Sequence, residues 1–198
     1  MEGDYHWPRY HLCGFPDLQG EEYSIYKQAE VFNAKHDNIK IILVNSFDWP
    51  SKHSHPKGIT RTQFRMAVDV EFGMSMYDAY GISQVESLCF GAICVISRAC
   101  GVVKAIEKLS DKRQEENIII ADYIEPGGCM SMEQLLGLSN GAQNKIETQV
   151  ASDIAEELMR RLPSTDAERA ELIASGQDLA QRMSWDKLIK DRLLAVLC

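Results

Sequence analysis

Asp78 and Glu86 stand eight residues apart, on either side of Gly81, in the stretch Ser75–Gly101, SMYDAYGISQVESLCFGAICVISRACG. These residue types suit recognition of a polyol and a phosphate. A carboxylate at Glu86 can accept paired hydrogen bonds from a vicinal diol such as a ribose. Gly81 lets the backbone approach a ligand closely. If a helix opens there, the amides of Ile82 and Ser83 turn a partial positive charge toward an anion. Asp78, in the loop before the glycine, would reach a sugar hydroxyl on the other side of the phosphates. The same residues also have a purely structural reading. Ser83-x-x-Glu86 has the spacing of a capping box, and Asp78 and Gly81 suit a turn. Spacing alone favours the structural reading.

The surrounding elements decide whether those groups face a ligand. Val68–Phe72 (VDVEF) reads as a strand ending at Gly73, and Ile82–Phe90 as a helix with Ile82, Val85, Leu88 and Cys89 on its apolar face. Ser83, Glu86 and Ser87 then face elsewhere. Ala92–Ile96 and Asn117–Tyr123 read as strands, as does the β-branched run Ile39–Val44. Helices are expected over Glu21–Asn33, where Tyr23, Tyr26, Ala29 and Phe32 recur at three-residue steps, and briefly over Thr60–Ala67. Residues 1–19 and Asp48–Gly58 read as irregular. After Pro126-Gly127-Gly128, Ser131 and Gln134 have capping-box spacing. Asn144–Leu162 is one long helix stopped by Pro163, Thr165-Asp-Ala-Glu168 caps the next, and Ser184 begins the last.

Strands alternating with helices predict an α/β fold: a Rossmann-like parallel sheet with helices on both faces and a C-terminal helical tail. We expect one domain over 1–198, with the sheet core in 1–140 and the tail in 141–198. In such sheets ligands bind beyond the carboxyl ends of the strands, where the turn after Val68–Phe72 lies.

Composition narrows the function classes. The 198 residues are 45% apolar and 25% charged, with a formal net charge of -8. No basic stripe is present, so nucleic acid is not an expected partner. None of the six cysteines form C-x-x-C, which predicts reduced and mostly buried thiols. His53-Ser-His55 has no further ligand nearby, so it reads as exposed loop and no metal is expected. The apolar run Cys89–Ile96 is too short to span a membrane. Met1-Glu-Gly-Asp lacks the features of a signal peptide, and a cytoplasmic location is expected. No G-x-G-x-x-G follows a first strand, which argues against a dinucleotide oxidoreductase.

The longer stretch Ala67–Ile106, AVDVEFGMSMYDAYGISQVESLCFGAICVISRACGVVKAI, resembles the donor-lobe signature of retaining glycosyltransferases of the family-4, GT-B type. Ala67 and Asp69 fit the strand entry, Ser75 the loop serine, Asp78 and Glu86 the two acids of an E-x7-E motif, and Gly81 the loop glycine. Gly91 through Ser97 fit the following strand and Gly101 the second turn. Met183-Ser184-Trp185-Asp186 is similar to the tail helix of these enzymes. The resemblance implies catalytic roles for Glu86, on the nucleotide ribose, and Asp78, on the donor sugar. It implies donor binding by Ser75, Tyr80, Gly81, Ile82, Ser83 and Gly101, a UDP-, ADP- or GDP-sugar as donor, no obligatory metal, and transfer with retention to an unidentified acceptor. This sequence has Asp78 where glutamate is usual, shortening the side chain by one methylene, ~1.5 Å of reach. Ala79 and Tyr80 replace proline and phenylalanine, Cys100 stands where glycine is frequent, and Lys104 where a further acid is. The Arg and Lys that neutralise the leaving diphosphate have as candidates Arg9, Lys52, Lys57, Arg61 and Arg65. The acceptor-binding lobe is absent, so an acceptor-binding lobe or subunit is an expected partner. The other reading is a degenerate, non-catalytic binding or scaffold module.

Overall fold

The computed structural model describes residues 21–42, 59–74, 78–110, 115–123, 131, 133–134 and 137–189. The chain divides into two compact units, Met1–Phe64 and Arg65–Cys198.

In the first unit, α1 (Glu21–Lys35) carries ladders of polar pairs on its surface, such as Lys27 with Glu30 at 2.7 Å. The expected strand at Ile39–Val44 is not formed over its described residues, Ile39–Ile42, which are exposed and belong to no sheet. The reason is local. The Asn33 side chain accepts from the Ile41 amide at 2.7 Å and donates to the Ile41 carbonyl at 2.8 Å. At Ile41, both backbone groups that a neighbouring strand would use are thus satisfied by one side chain. Lys40 Nζ closes the turn on the carbonyls of Asn33, in α1, and of His36, just past its end. The short helix expected near Thr60 is α2 (Arg61–Met66). Thr60 and Gln63 open it with reciprocal capping bonds.

The second unit is built on a three-stranded parallel sheet in the order β1 (Val70–Gly73), β2 (Ile93–Ser97), β3 (Ile118–Ala121). Val70 pairs with Ile93 and Cys94 with Ile118. The central strand ICVIS is buried along its whole length, which is why it reads as a continuous apolar run rather than an alternating one. Its residues still alternate in direction. Cys94 and Ile96 pack with Val85 and Leu88 of the segment before the strand and with Val102, Val103 and Ile106 of α3 (Gly101–Leu109). Ile93 and Val95 pack on the other side with Val150 and Ile154 of α4 (Asn140–Arg161) and Leu172 of α5 (Asp166–Arg182). Helices therefore cover both faces. Each fully buried Ile or Val in this core contributes about 1.5–3 kcal/mol relative to exposure.

Three polar side chains lock the far edge. Asn117 donates to the carbonyls of Ala92 and Leu172, both at 3.1 Å. The Arg161 guanidinium donates to the carbonyls of Glu115, Glu116 and Ile118. Arg182 reaches the Leu109 carbonyl at 2.8 Å and both oxygens of Glu115. The last turns of α4 and α5 are thereby fastened to the start of β3.

The tail follows the expected caps. Ser139 caps α4, whose first residue, Asn140, lies four residues before the expected Asn144. Thr165 and Glu168 form a full capping box on α5, and Ser184 accepts from Lys187 ahead of α6 (Trp185–Leu188). Ser131 and Gln134 make both bonds of their capping box. The expected irregular segments 1–19 and 48–58, with His53 and His55, lie outside the described residues.

Candidate functional site

The segment Ile82–Phe90 is a 3-10 helix, and this changes its buried face. Residues three apart eclipse one another in that geometry. Gln84 and Ser87 are therefore buried in register, as are Val85 and Leu88. Ile82 and Cys89, expected on the apolar face, are instead exposed. Gly81 is the N-cap at φ 81°, in the left-handed region that favours glycine, and no side chain caps the helix. Ser83 is thus two positions too late to form the capping box that its spacing to Glu86 suggests.

The loop before it is built onto the start of α3. Asp78 Oδ1 accepts from the Tyr80 amide at 3.0 Å, an Asx turn. Asp78 also forms an isolated parallel bridge with Cys100. The amides of Gly101 and Val102 donate to the carbonyls of Asp78 and Tyr80, at 3.2 and 2.7 Å. Two of the amides that open α3 are therefore taken by the loop. The 3-10 helix differs. The Gln84 amide is the first to donate within it, to the Gly81 carbonyl, so the amides of Ile82 and Ser83 have no acceptor inside that helix. Both residues are exposed, as is Tyr80. This helix start, rather than the Gly101 turn, offers donors to an anion.

Glu86 belongs to a charged cluster with Arg65 and Glu71. Arg65 NH1 donates to Glu86 Oε2, and its NH2 lies 3.3 Å from the Ser83 carbonyl and 3.5 Å from Glu71 Oε1. The Ser87 hydroxyl donates to Glu71 Oε2. Arg65 is 14% exposed in its side chain and Glu71 25%, whereas Glu86 is 38% exposed. Arg65 thus bridges two carboxylates, with Glu86 as the more exposed member. Beneath it, burial first and the Glu71 carboxylate second push the Cys94 thiol far up, so it remains neutral.

At the carboxyl ends of β2 and β3, Arg98 joins Asp122 through Nε and reaches Glu107 at 3.1 Å. Its amide donates to the Ala121 carbonyl at 2.9 Å.

The site residues read from the sequence therefore divide. Asp78, Tyr80 and Gly101 come together at the start of α3, and Gly81, buried against Gln84, leads into the exposed Ile82 and Ser83 of the helix start. Glu86 joins Arg65, while Ser75 lies outside the described residues. Of the candidate cations, Arg65 stands at Glu86; Arg9, Lys52 and Lys57 lie outside the described residues. Glu71, Ser87 and Arg98 were not legible as site residues. An acid inside the strand run VDVEF was the available signal for Glu71.

No protein-family model matches the chain, and no curated protein shows significant similarity to it. Among the described residues, no group of three or more His, Cys, Asp or Glu side chains is placed to hold a metal ion. No helix among them is long and apolar enough to cross a membrane.

Proposed function

We propose that this chain is the Rossmann-like donor lobe of a retaining glycosyltransferase, binding a UDP-, ADP- or GDP-sugar for transfer to an acceptor held elsewhere. The observation that carries the reading is the exposed helix start at Ile82–Ser83, which follows the left-handed Gly81 after a parallel strand, with Glu86 one turn further on. In this reading the amides of Ile82 and Ser83 hold phosphate oxygens and Glu86 accepts the ribose hydroxyls. Asp78 acts on the donor sugar from a loop shaped by its own Asx turn. Ser75, Tyr80 and Gly101 line the same cradle. The protein contributes orientation and stabilisation of the leaving diphosphate, without an obligatory metal. A second lobe or subunit binds the acceptor, and the complex works in the cytoplasm.

The second reading is a degenerate lobe that serves as a binding or scaffold module. It is favoured by the Gly101 and Val102 amides, which are committed to the Asp78–Tyr80 loop, and by the pairing of Glu86 with Arg65.

Thermal unfolding of the full chain with UDP, ADP, GDP and their glucose conjugates tests the donor site. A nucleotide at one hundred times its dissociation constant stabilises by ~2.7 kcal/mol. Glu86→Ala is expected to reduce the shift. Absence of a shift with every nucleotide rejects donor binding, and equal shifts in both proteins remove Glu86 from the site. Turnover of the sugar nucleotide separates the two readings: the isolated chain is expected to give little, and activity should appear on adding an acceptor-binding partner. A module that binds but never turns over supports the second reading.

A further inference from the structure

Ile82–Phe90 keeps 3-10 geometry for nine residues, although poorer hydrogen bonds usually limit such runs to about three or four. Its side chains fall into three rows along the axis. Gln84 and Ser87 form one buried row, Val85 and Leu88 the other, and Ser83, Glu86 and Cys89 the outer one. Two polar side chains are thus packed away, while Cys89 is exposed and Ile82 is 58% exposed. The α form, at about 100° per residue, places the same residues differently. Ile82, Val85, Leu88 and Cys89 then share one face, and Ser87 turns to the opposite side. It is also the shorter form, by ~0.5 Å per residue. Glycines in the left-handed region stand at both ends, Gly81 at φ 81° and Gly91 at φ 85°, and their backbone freedom can absorb the change.

Two contacts from outside the segment hold the 3-10 rows. Arg65 NH1 donates to Glu86 Oε2, and the Ser87 hydroxyl donates to Glu71 Oε2. The α form draws Ser87 away from Glu71 and moves Glu86 by about a quarter turn relative to the buried face. We infer that Ile82–Phe90 is a two-state latch: Arg65 and Glu71 hold it in the 3-10 form, and loss of either contact releases it to the α form, with Cys89 inward and Ser87 outward. The bias comes from contacts present in one form and missing from the other, which is what a shift between two conformations requires. The latch operates whether or not the segment holds a nucleotide.

Maleimide labelling of the full chain, mapped by mass spectrometry, tests this in Ser87→Cys, alone and combined with Arg65→Met or with Glu71→Leu. The thiol at position 87 reports the α form and Cys89 reports the 3-10 form. With Arg65 and Glu71 in place, Cys89 should react and position 87 should be protected. In each combined variant the rate at position 87 should rise while that at Cys89 falls. Their ratio should change by about tenfold or more, the size of a lost hydrogen bond to a charged group. The opposite signs separate the latch from simple loosening, which raises both rates. Glu71→Leu keeps the test open should Arg65→Met fail to fold. Unchanged rates in the combined variants, or a joint rise at both positions, overturn the latch.

Discussion

Gly101 lies so close to Ala79 that a β-carbon on it would sit 2.0 Å from the Ala79 carbonyl oxygen. The contact is backbone against backbone, so no flexible side chain can yield. Alanine at position 101 must push the Asp78–Tyr80 loop away from α3, breaking the bonds from Gly101 and Val102. Gly101→Ala should therefore destabilise by about 1–3 kcal/mol, the usual cost of overpacking. Urea denaturation measures this, and a midpoint equal to that of wild type would contradict the packing.

Arg161 should be the costliest surface-to-core link to remove. Its side chain is 3% exposed and donates to three carbonyls at the start of β3. Arg161→Met leaves those carbonyls short of a donor, for a loss of about 2–4 kcal/mol. Hydrogen exchange should accelerate first at Ile118–Ala121. Uniform acceleration throughout the sheet would argue instead for a global effect.

Cysteine reactivity should separate sharply. Cys89 is exposed, while Cys94 and Cys100 are buried and Cys94 is kept protonated by its surroundings. Maleimide labelling mapped by mass spectrometry should modify Cys89 in the native protein and Cys94 only on unfolding. Equal rates at both would mean that β2 is not the closed centre of the sheet.

Acid should weaken the attachment of α4 through Glu157. Arg160 first, and Arg161 with it, hold this carboxyl below its ordinary value of 4.5. The unfolded chain then binds the proton at a higher pH than the native one. The contribution is present above pH 4.5 and is lost as pH falls through the native value. The carboxylate is partly exposed, so the effect is ~1 kcal/mol or less. Glu157→Gln should remove this component, giving a shallower fall in unfolding free energy between pH 5 and pH 3, on the order of tenths of a kcal/mol per pH unit. An unchanged pH profile would show the pair to be fully screened.

Elements with a strong local code were legible in the residue order. The buried run at Ile93–Ser97, the capping boxes at Thr165 and Ser131, and the stop at Pro163 each depend on residues within a few positions of one another. The strand, loop, glycine and helix sequence around Gly81 was legible for the same reason. The failures are equally specific. Ile39–Ile42 has the composition of a strand, but Asn33 takes the amide and carbonyl of Ile41 that pairing would use. The segment at Ile82 takes 3-10 geometry, which buries Gln84 and Ser87 in register, while Ile82 at its first position is exposed.

Chain order alone established the alternation of strands and helices, the placing of a glycine-opened helix after a strand, and the two acids that flank it. Tertiary structure decided what those acids touch. Glu86 meets Arg65 across 21 residues of chain, and Glu71 meets Ser87 across 16, because the 3-10 helix folds back along β1. Asp78 meets Cys100 because the loop is drawn in by the amides that open α3. Local propensity acts over a turn or two, whereas a charge is partnered by whatever the packed elements bring to it.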